Sequence, residues 1–325
     1  MNTRAPIHVT ACAWELPAYA SHATLPAALQ HDADPRAVFD PETQLGKKGL
    51  RYKEKATLMA LCAAKKVLQR AGFDATEPDP LFGVAVACNT GNLDTVCNAA
   101  QTIRDQHVNA TSSMDLPNAS SNVIASTLAI RFKLRALNLL ITSGASAGFD
   151  ALVVAANAIR NGRAERMLVI GVETSGPALR KLLDQQPNDG ATLMEGAIAL
   201  VLESTASAQT RMARSLGSLG DYVFANAGDA SQPLLYALLN KHPGKTLYPG
   251  ASCFLRKAFD EVLNGHAGGV VDIDQEALSA YGSGALLQLV HHLESRSKTG
   301  ALIAGGGTWG DQRTGLLAVD AAAHA

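Results

Sequence analysis

Charge is scarce in this sequence. Only 18% of its 325 residues are Asp, Glu, Lys or Arg, and the 28 basic side chains nearly cancel the 29 acidic ones, leaving a net charge of −1. A chain so balanced lacks the basic footprint that a nucleic-acid binder needs. Cysteine is scarce too: Cys12, Cys62, Cys88, Cys97 and Cys253 are odd in number, scattered, and form no C-x-x-C pair. That pattern argues against a disulfide framework and fits a reducing cytoplasm. The nine histidines show no metal-ligand spacing, so neither a metal nor a cofactor is expected. No apolar run approaches 18 residues, so no transmembrane helix is expected. The opening MNTRAPIHVTACAW lacks the long apolar stretch and cleavage site of a secretory leader. What is abundant is apolar material, 47% of the residues. That is enough for a sizeable core and excludes a disordered chain. So few charges on a soluble protein also point to surface hidden against a partner.

Hydrophobic runs and turn residues alternate along the first two thirds. Strands are expected at Ile7–Cys12, Phe82–Cys88, Leu137–Thr142, Arg166–Gly171 and Glu195–Leu202, where short apolar runs suit a buried sheet. Helices are expected at Lys55–Ala71, Leu93–Arg104, Asn118–Phe132 and Phe149–Asn161, the last stopping at Gly162. Residues 205–245 are mixed and polar, with a helix at Pro233–Asn240 and a loop at 205–215. Further helices are expected at Leu255–Leu263 and Gly282–Glu294. A hairpin of Ala301–Gly306 with Thr314–Val319 closes the chain. Strands alternating with helices make this an α/β protein.

Three segments stand out together: KLRALNLLITSGASAGFDAL from Lys133 with RMLVIGVETSG from Arg166, EGAIALVLES from Glu195, and the C-terminal GALIAGGGTWGDQRTGLLAV. In order and spacing they resemble the β-ketoacyl synthases of the thiolase superfamily, especially the elongating type and its type II polyketide relatives. The resemblance implies a thiolase-like α/β fold of duplicated βαβ halves in α/β/α/β/α layers. The halves would be 1–204 and 205–325, forming one compact unit. It also implies a turn in which a cysteine heads a buried helix and attacks acyl thioesters. The physics of such a turn is general: a helix N-terminus offers unpaired N–H groups and partial positive charge, which lower a thiol's pKa and stabilise an oxyanion.

At the matching position this chain has Ala145, within Ser143-Gly144-Ala145-Ser146-Ala147-Gly148-Phe149-Asp150. The family's two catalytic histidines match Pro249 and Leu278. Ala, Pro and Leu can neither attack, carry charge nor donate a side-chain proton. Phe149 and the loop residues Gly306, Gly307 and Thr308 match the wall of the family's acyl cavity. Glu173 matches an acid that orders the active-site turn, and Cys253 lies in the loop of the first histidine. Cys88 and Cys97 read as buried small apolar groups.

The chain therefore resembles a degenerate ketosynthase, like the chain-length factors of type II polyketide systems. By that resemblance it would form a heterodimer with an active ketosynthase, or a homodimer, and act on a polyene or poly-β-keto thioester chain carried by an acyl carrier protein. Residues 93–136 and the strand at Leu137–Ile141 would build the two-fold interface. Many such factors carry glutamine at the nucleophile position, and alanine departs from that. One alternative makes Ser146 an acyl-accepting nucleophile, as in initiating ketosynthases, whose Ala-Ala-Cys-Ala-Gly-Phe turn matches Ser146-Ala147-Gly148-Phe149. Another reads Gly144-Ala145-Ser146-Ala147-Gly148 as a serine-hydrolase elbow, for which His291, His292 and His324 are available in order. Against both stands Ser146 as a small residue that bonds local backbone, and His291 and His292 fall on a helix expected to be solvated. Lys133, Arg135, Arg160, Arg163 and Arg166 read as solvated basic ends, or as a docking patch for an acidic carrier protein.

Overall fold

A computed structural model describes residues 5–34, 36–184, 194–226, 232–249, 266–273, 281–306 and 313–322. The expected helix at Leu255–Leu263, together with Cys253, Leu278, Gly307, Thr308 and His324, lies outside the described residues. In chain order the strands are β1 Ile7–Glu15, β2 Phe82–Ala87, β3 Asn138–Ile141, β4 Arg166–Glu173, β5 Gly196–Ser204, β6 Gly217–Asn226, β7 Thr246–Tyr248, β8 Ala301–Gly306 and β9 Arg313–Ala321. The helices are α1 Leu25–Ala28, α2 Pro41–Leu45, α3 Lys55–Arg70, α4 Leu93–Gln106, α5 Val123–Phe132, α6 Ala147–Arg160, α7 Pro177–Leu183, α8 Thr205–Thr210, α9 Gln232–Lys241 and α10 Gly284–Glu294.

The nine strands among the described residues are hydrogen-bonded in the order β3-β2-β4-β5-β1-β6-β9-β8-β7. The order is its own mirror about the β1–β6 seam: β2-β4-β5-β1 on one side answers β7-β8-β9-β6 on the other. Only Ile7, His8 and Val9 of β1 pair with β6, whereas β1 stays paired with β5 as far as Glu15. Beyond Val9 the sheet therefore opens into two leaves. Between them lie α6 and α10, packed against Ile198, Leu200, Met167 and Val169 of one leaf and Ile303, Leu317 and Val319 of the other. The outer face of the first leaf packs on α3 and α5 through Val84, Ile170, Met59 and Leu128. The outer face of the second packs on α9 through Leu235, Leu238, Leu302 and Leu316. This is the expected α/β/α/β/α layering with duplicated halves.

The continuous apolar runs of β2, β4 and β5 are legible because both faces of these strands are buried. Helix α3 stops where Gly72 takes a left-handed φ of 73°, and α6 where Gly162 does the same at 69°. Several expectations need correcting. The mixed stretch after residue 205 holds the short helix α8 and the ten-residue strand β6, which lacks a clean apolar alternation and owes its conformation to pairing with β9. The helix expected at Asn118–Phe132 is a 3₁₀ turn at Leu116–Ala119 followed by α5, because the Ser-Ser-Asn link favours turn over helix. Cys97 is exposed, since α4 buries none of its residues. The basic ends are not simply solvated: Arg160 donates to the carbonyls of Ala5, Leu219 and Gly220, and Arg166 pairs with Asp79 at 3.0 Å. Among the described residues, no helix is long and apolar enough to cross a membrane.

Candidate active site

Parallel pairing sets Ala87 of β2 beside both Ile141 of β3 and Gly171 of β4. The carboxyl ends of these strands thus deliver three segments to one place: Asn89, the turn before α6, and Glu173. Ligand sites of α/β sheets form at such strand ends. The turn is a 3₁₀ segment, Gly144–Ser146, running directly into α6. Gly144 has φ 66°, a left-handed conformation in which a side chain would be strained. Asn89 clamps this residue from both sides, donating from Nδ2 to the Gly144 carbonyl and accepting from its N–H at Oδ1, each at 3.0 Å.

The same Asn89 amide donates to Glu173 Oε1 at 3.2 Å, and Thr90 Oγ1 donates to Oε2 at 3.5 Å. The backbone N–H groups of Gly282 and Asn89 add to these donors. Glu173 is buried, and burial pushes its carboxyl up to about 8, against the pull of the hydrogen bonds toward the ionised form. Gly282 belongs to the equivalent 3₁₀ turn, Tyr281–Ser283, which opens α10. A Cβ there would stand 2.2 Å from Asn89 Nδ2 and 2.7 Å from Glu173 Oε1, so only glycine permits the approach. Asn89 and Glu173 together join the two turns that head the central helices.

Ala145 lies in the first turn, 9% exposed, and presents only a methyl group there. Ser146 is buried. Its hydroxyl has two acceptors in reach, the Ser143 carbonyl at 2.9 Å and Asp150 Oδ2 at 3.0 Å. The same carboxylate oxygen accepts from Ser143 Oγ at 2.5 Å, and Oδ1 faces the Arg313 guanidinium at 3.5 Å. Among the described residues no histidine hydrogen-bonds to Ser146. Pro249 follows β7 directly and is buried. Phe149 is fully buried against Phe224. Gly306 ends β8.

The histidines of α10 correct the expectation of a solvated face. His292 is buried and His291 half-buried, because α10 is packed by both leaves. Tyr248 Oη lies 3.3 Å from His291 Nδ1 and 3.5 Å from His292 Nδ1. Burial holds His292 down to about 4 and pushes the Tyr248 phenol up to about 12, so both are neutral at physiological pH. Sequence reasoning did not single out Asn89 or give Asp150 a role. Asn89 was detectable as a polar residue at the end of a buried strand, whereas Asp150 meets Ser143 and Ser146 locally but Arg313 only from far along the chain. A separate cavity of about 550 Å³, lined by Phe73, Phe82, Phe132, Leu134 and Arg166, lies at the amino ends of β2 and β4, away from this chemistry.

Comparison with known proteins bears on the fold and the family. The solved structure of the ishigamide ketosynthase/chain length factor superposes with a TM-score of 0.79 at 19% identity, covering 98% of this chain and 100% of that one. The type II PKS acyl-carrier protein in complex with its ketosynthase bound to the hexaketide gives a TM-score of 0.79 at 17% identity, with the same coverage. These likenesses establish the thiolase-like fold. In sequence, the chain is 27% identical over 215 residues to the 3-oxoacyl-[acyl-carrier-protein] synthase 2 of Rhizobium meliloti (strain 1021), covering 59% of this chain and 51% of that protein. It is 29% identical over 194 residues to Nodulation protein E of Rhizobium leguminosarum bv. trifolii, covering 55% and 48%. The chain spans about half the length of the curated relatives it matches. The family model for the N-terminal domain of beta-ketoacyl synthases matches residues 9–187. That stretch is more than half of the sequence, it runs from β1 through α7, and it carries Asn89, Ala145 and Glu173: the chain belongs to the beta-ketoacyl synthase family.

Proposed function

We propose that this chain is a non-catalytic ketosynthase-like subunit that pairs with an active ketosynthase and helps to shape the space for an acyl chain on a carrier protein. One observation carries the reading. The scaffold of the turn is intact, with Gly144 clamped by Asn89, Glu173 holding the second turn, and the N-terminus of a 14-residue helix behind them. Yet the residue at its head is Ala145. A methyl group forms no acyl-enzyme. Pro249 in the matching position of the second half supports the same reading, because it offers no side-chain donor.

The edge of the sheet supports a partner. Among the described residues β3 pairs only with β2, and each residue of Asn138–Ile141 is half-buried. An apolar edge strand left open is a template for pairing with another chain. Nearby in sequence, Val108, Met114 and Ile130 are exposed, as are Val96 and Ile103 of α4.

The rival reading is a Ser146-dependent acyltransferase or condensing enzyme, and the contact between Ser146 and Asp150 is what favours it. The hydroxyl is buried, however, and the carboxylate is shared with Ser143 and Arg313. Two experiments test the proposal. Co-expression with an active type II ketosynthase should yield a complex that survives size-exclusion chromatography. Purification only as a lone homodimer would defeat the pairing. Incubation with acyl-CoA or acyl-carrier thioesters, followed by intact-protein mass measurement, should show no adduct. An adduct that disappears in Ser146→Ala would establish the rival.

A further inference from the structure

The cavity of about 550 Å³ at the amino ends of β2 and β4 lies between the last turns of α3, the end of α5 and the loop that leads into β2. Gly72, with its left-handed φ, turns the chain out of α3 into this loop. Asp79 ties the loop back to the chain after α5. Its N–H donates to the Lys133 carbonyl at 3.0 Å, and its own carbonyl accepts from the Arg135 N–H at 2.9 Å. Lys133 also donates to the Thr76 carbonyl. The space beneath the loop is walled by Leu68, Phe73, Phe82, Phe132 and Leu134. Phe73 meets Phe82 edge-on at 4.9 Å and carries the Arg211 guanidinium on its ring at 4.0 Å. Charge around the cavity is unevenly paired. Two cations line it, Lys65 and Arg166, against three carboxylates, Asp74, Glu77 and Asp79. Both cations have partners: Arg166 takes Asp79 at 3.0 Å and Ser207 Oγ at 3.1 Å, and Lys65 donates to the Gln44 carbonyl at 2.5 Å. Asp74 and Glu77 are exposed and, among the described residues, make no side-chain hydrogen bond or ion pair.

The geometry points to a second binding site, for an arylalkyl ammonium compound: its aromatic ring lies among Phe73, Phe82 and Phe132, and its amine stands at the rim beside Asp74 and Glu77. A concave, mostly apolar space of this size with a few charged groups at its mouth has the form of a small-molecule site. A flat ring can add edge-to-face and stacked contacts to the Phe73–Phe82 pair. The head group follows from the sign of the unpaired charge. A carboxylate or phosphate would find both lining cations engaged and would face two unopposed carboxylates. An acyl phosphopantetheine and an acidic carrier protein are therefore the wrong ligands here, which separates this cavity from the turn at Ala145. Ring burial supplies most of the affinity. The two carboxylates are open to water and screened by salt, so they select the head group by a modest factor.

The test is titration calorimetry on the full chain, in the complex in which it purifies, with probes that share one ring: tryptamine, 3-methylindole and indole-3-propionate. Tryptamine should bind saturably, 3-methylindole about fivefold more weakly, and indole-3-propionate most weakly. The gap between the first two should narrow at about 0.5 M salt. The double variant Asp74→Asn, Glu77→Gln should bring tryptamine down to the level of 3-methylindole and leave 3-methylindole unchanged, a pattern that misfolding would not produce. Ala75, also in the lining, lies on the loop. Ala75→Trp should fill the cavity and abolish binding of every probe, with an unchanged melting temperature showing that the fold is kept. Tryptamine binding that persists in Ala75→Trp overturns the inference. So does an affinity for indole-3-propionate equal to or above that for tryptamine, or a failure of tryptamine to saturate the wild type at millimolar concentration. Acylation of Ser146 and co-purification with a ketosynthase are scored separately, so the proposed function stands or falls on its own results.

Discussion

The turns that open α6 and α10 occupy equivalent places in the two halves but are held by different chemistry. The first, Gly144–Ser146, is tied down by side chains: Asn89 clamps Gly144, and Ser143 and Ser146 converge on Asp150. The second, Tyr281–Ser283, is placed by the absence of a side chain, since Gly282 brings its backbone against Glu173 and Asn89. The helices differ further along as well. Nine residues past the last residue of each turn, α6 carries the fully buried Ala155 and α10 the buried His292. A site can thus keep its architecture by hydrogen bonding in one half and by steric clearance in the other. The two respond differently to substitution.

The largest effect should come from the residue shared by both turns. The Glu173 carboxyl is pushed up to about 8 in the folded protein, against 4.5 for an ordinary glutamate. A raised folded value means that the folded state holds the proton more tightly. Its contribution to stability is therefore complete below pH 4.5 and is lost as pH rises through 8, a change on the order of a few kcal/mol. Thermal melts from pH 5 to 9 should fall more steeply for the wild type than for Glu173→Gln. Parallel curves would remove Glu173 as the link. Next in size, Gly282→Ala should destabilise by about 2–3 kcal/mol in urea unfolding, because its methyl group meets Asn89 and Glu173. A loss below about 0.5 kcal/mol, within the range of an ordinary surface change, would break the steric half of the comparison.

His292 sharpens the contrast between the helices at acid pH. Its folded value is held down to about 4 from 6.5, so its contribution is present above pH 6.5 and disappears as pH falls through 4. His292→Gln should reduce the acid-induced loss of unfolding free energy in that window by about 2 kcal/mol. Ser146→Ala, in the hydrogen-bonded turn, should cost only about 1 kcal/mol, the net worth of one buried hydrogen bond. The smallest change should be Gly284→Ala at the start of α10. No atom lies within 4 Å of its added Cβ, so a gain of about 0.5 kcal/mol is expected from the stiffer unfolded chain.

Legibility in the sequence followed burial. Strands β2, β4 and β5 and helices α3 and α6 were readable because their apolar runs, or their 3.6-residue spacing with glycine stops, reflect purely local rules. Strand β6, with Gly217, Gly220 and Asp221 in a run of mostly half-buried residues that starts on the buried Gly217, carries no such pattern and is a strand because β9 and β1 pair with it. His291 and His292 misled for the complementary reason. A helix enclosed by two sheet leaves has no solvent face, yet two consecutive polar residues read like one. Within the site, Ala145, Ser146 and Glu173 could be located from motif order alone. Asn89 could not, because its partners Gly144 and Glu173 lie 55 or more residues away in the chain, and Asp150 only in part, because Ser143 and Ser146 are near it in sequence but Arg313 is not.

The sequence by itself determined the α/β class, the family resemblance and the methyl group at position 145, since composition, spacing and residue identity need no third dimension. Tertiary structure decided what those residues meet. It brought two turns onto one carboxylate, buried a histidine expected in water, and set the Phe149 ring over Gly305 and Gly315, glycines of different strands. Each of these depends on strand register and on the mirrored fold of one sheet around two helices. Long-range pairing, unlike local propensity, leaves no periodic trace in the chain.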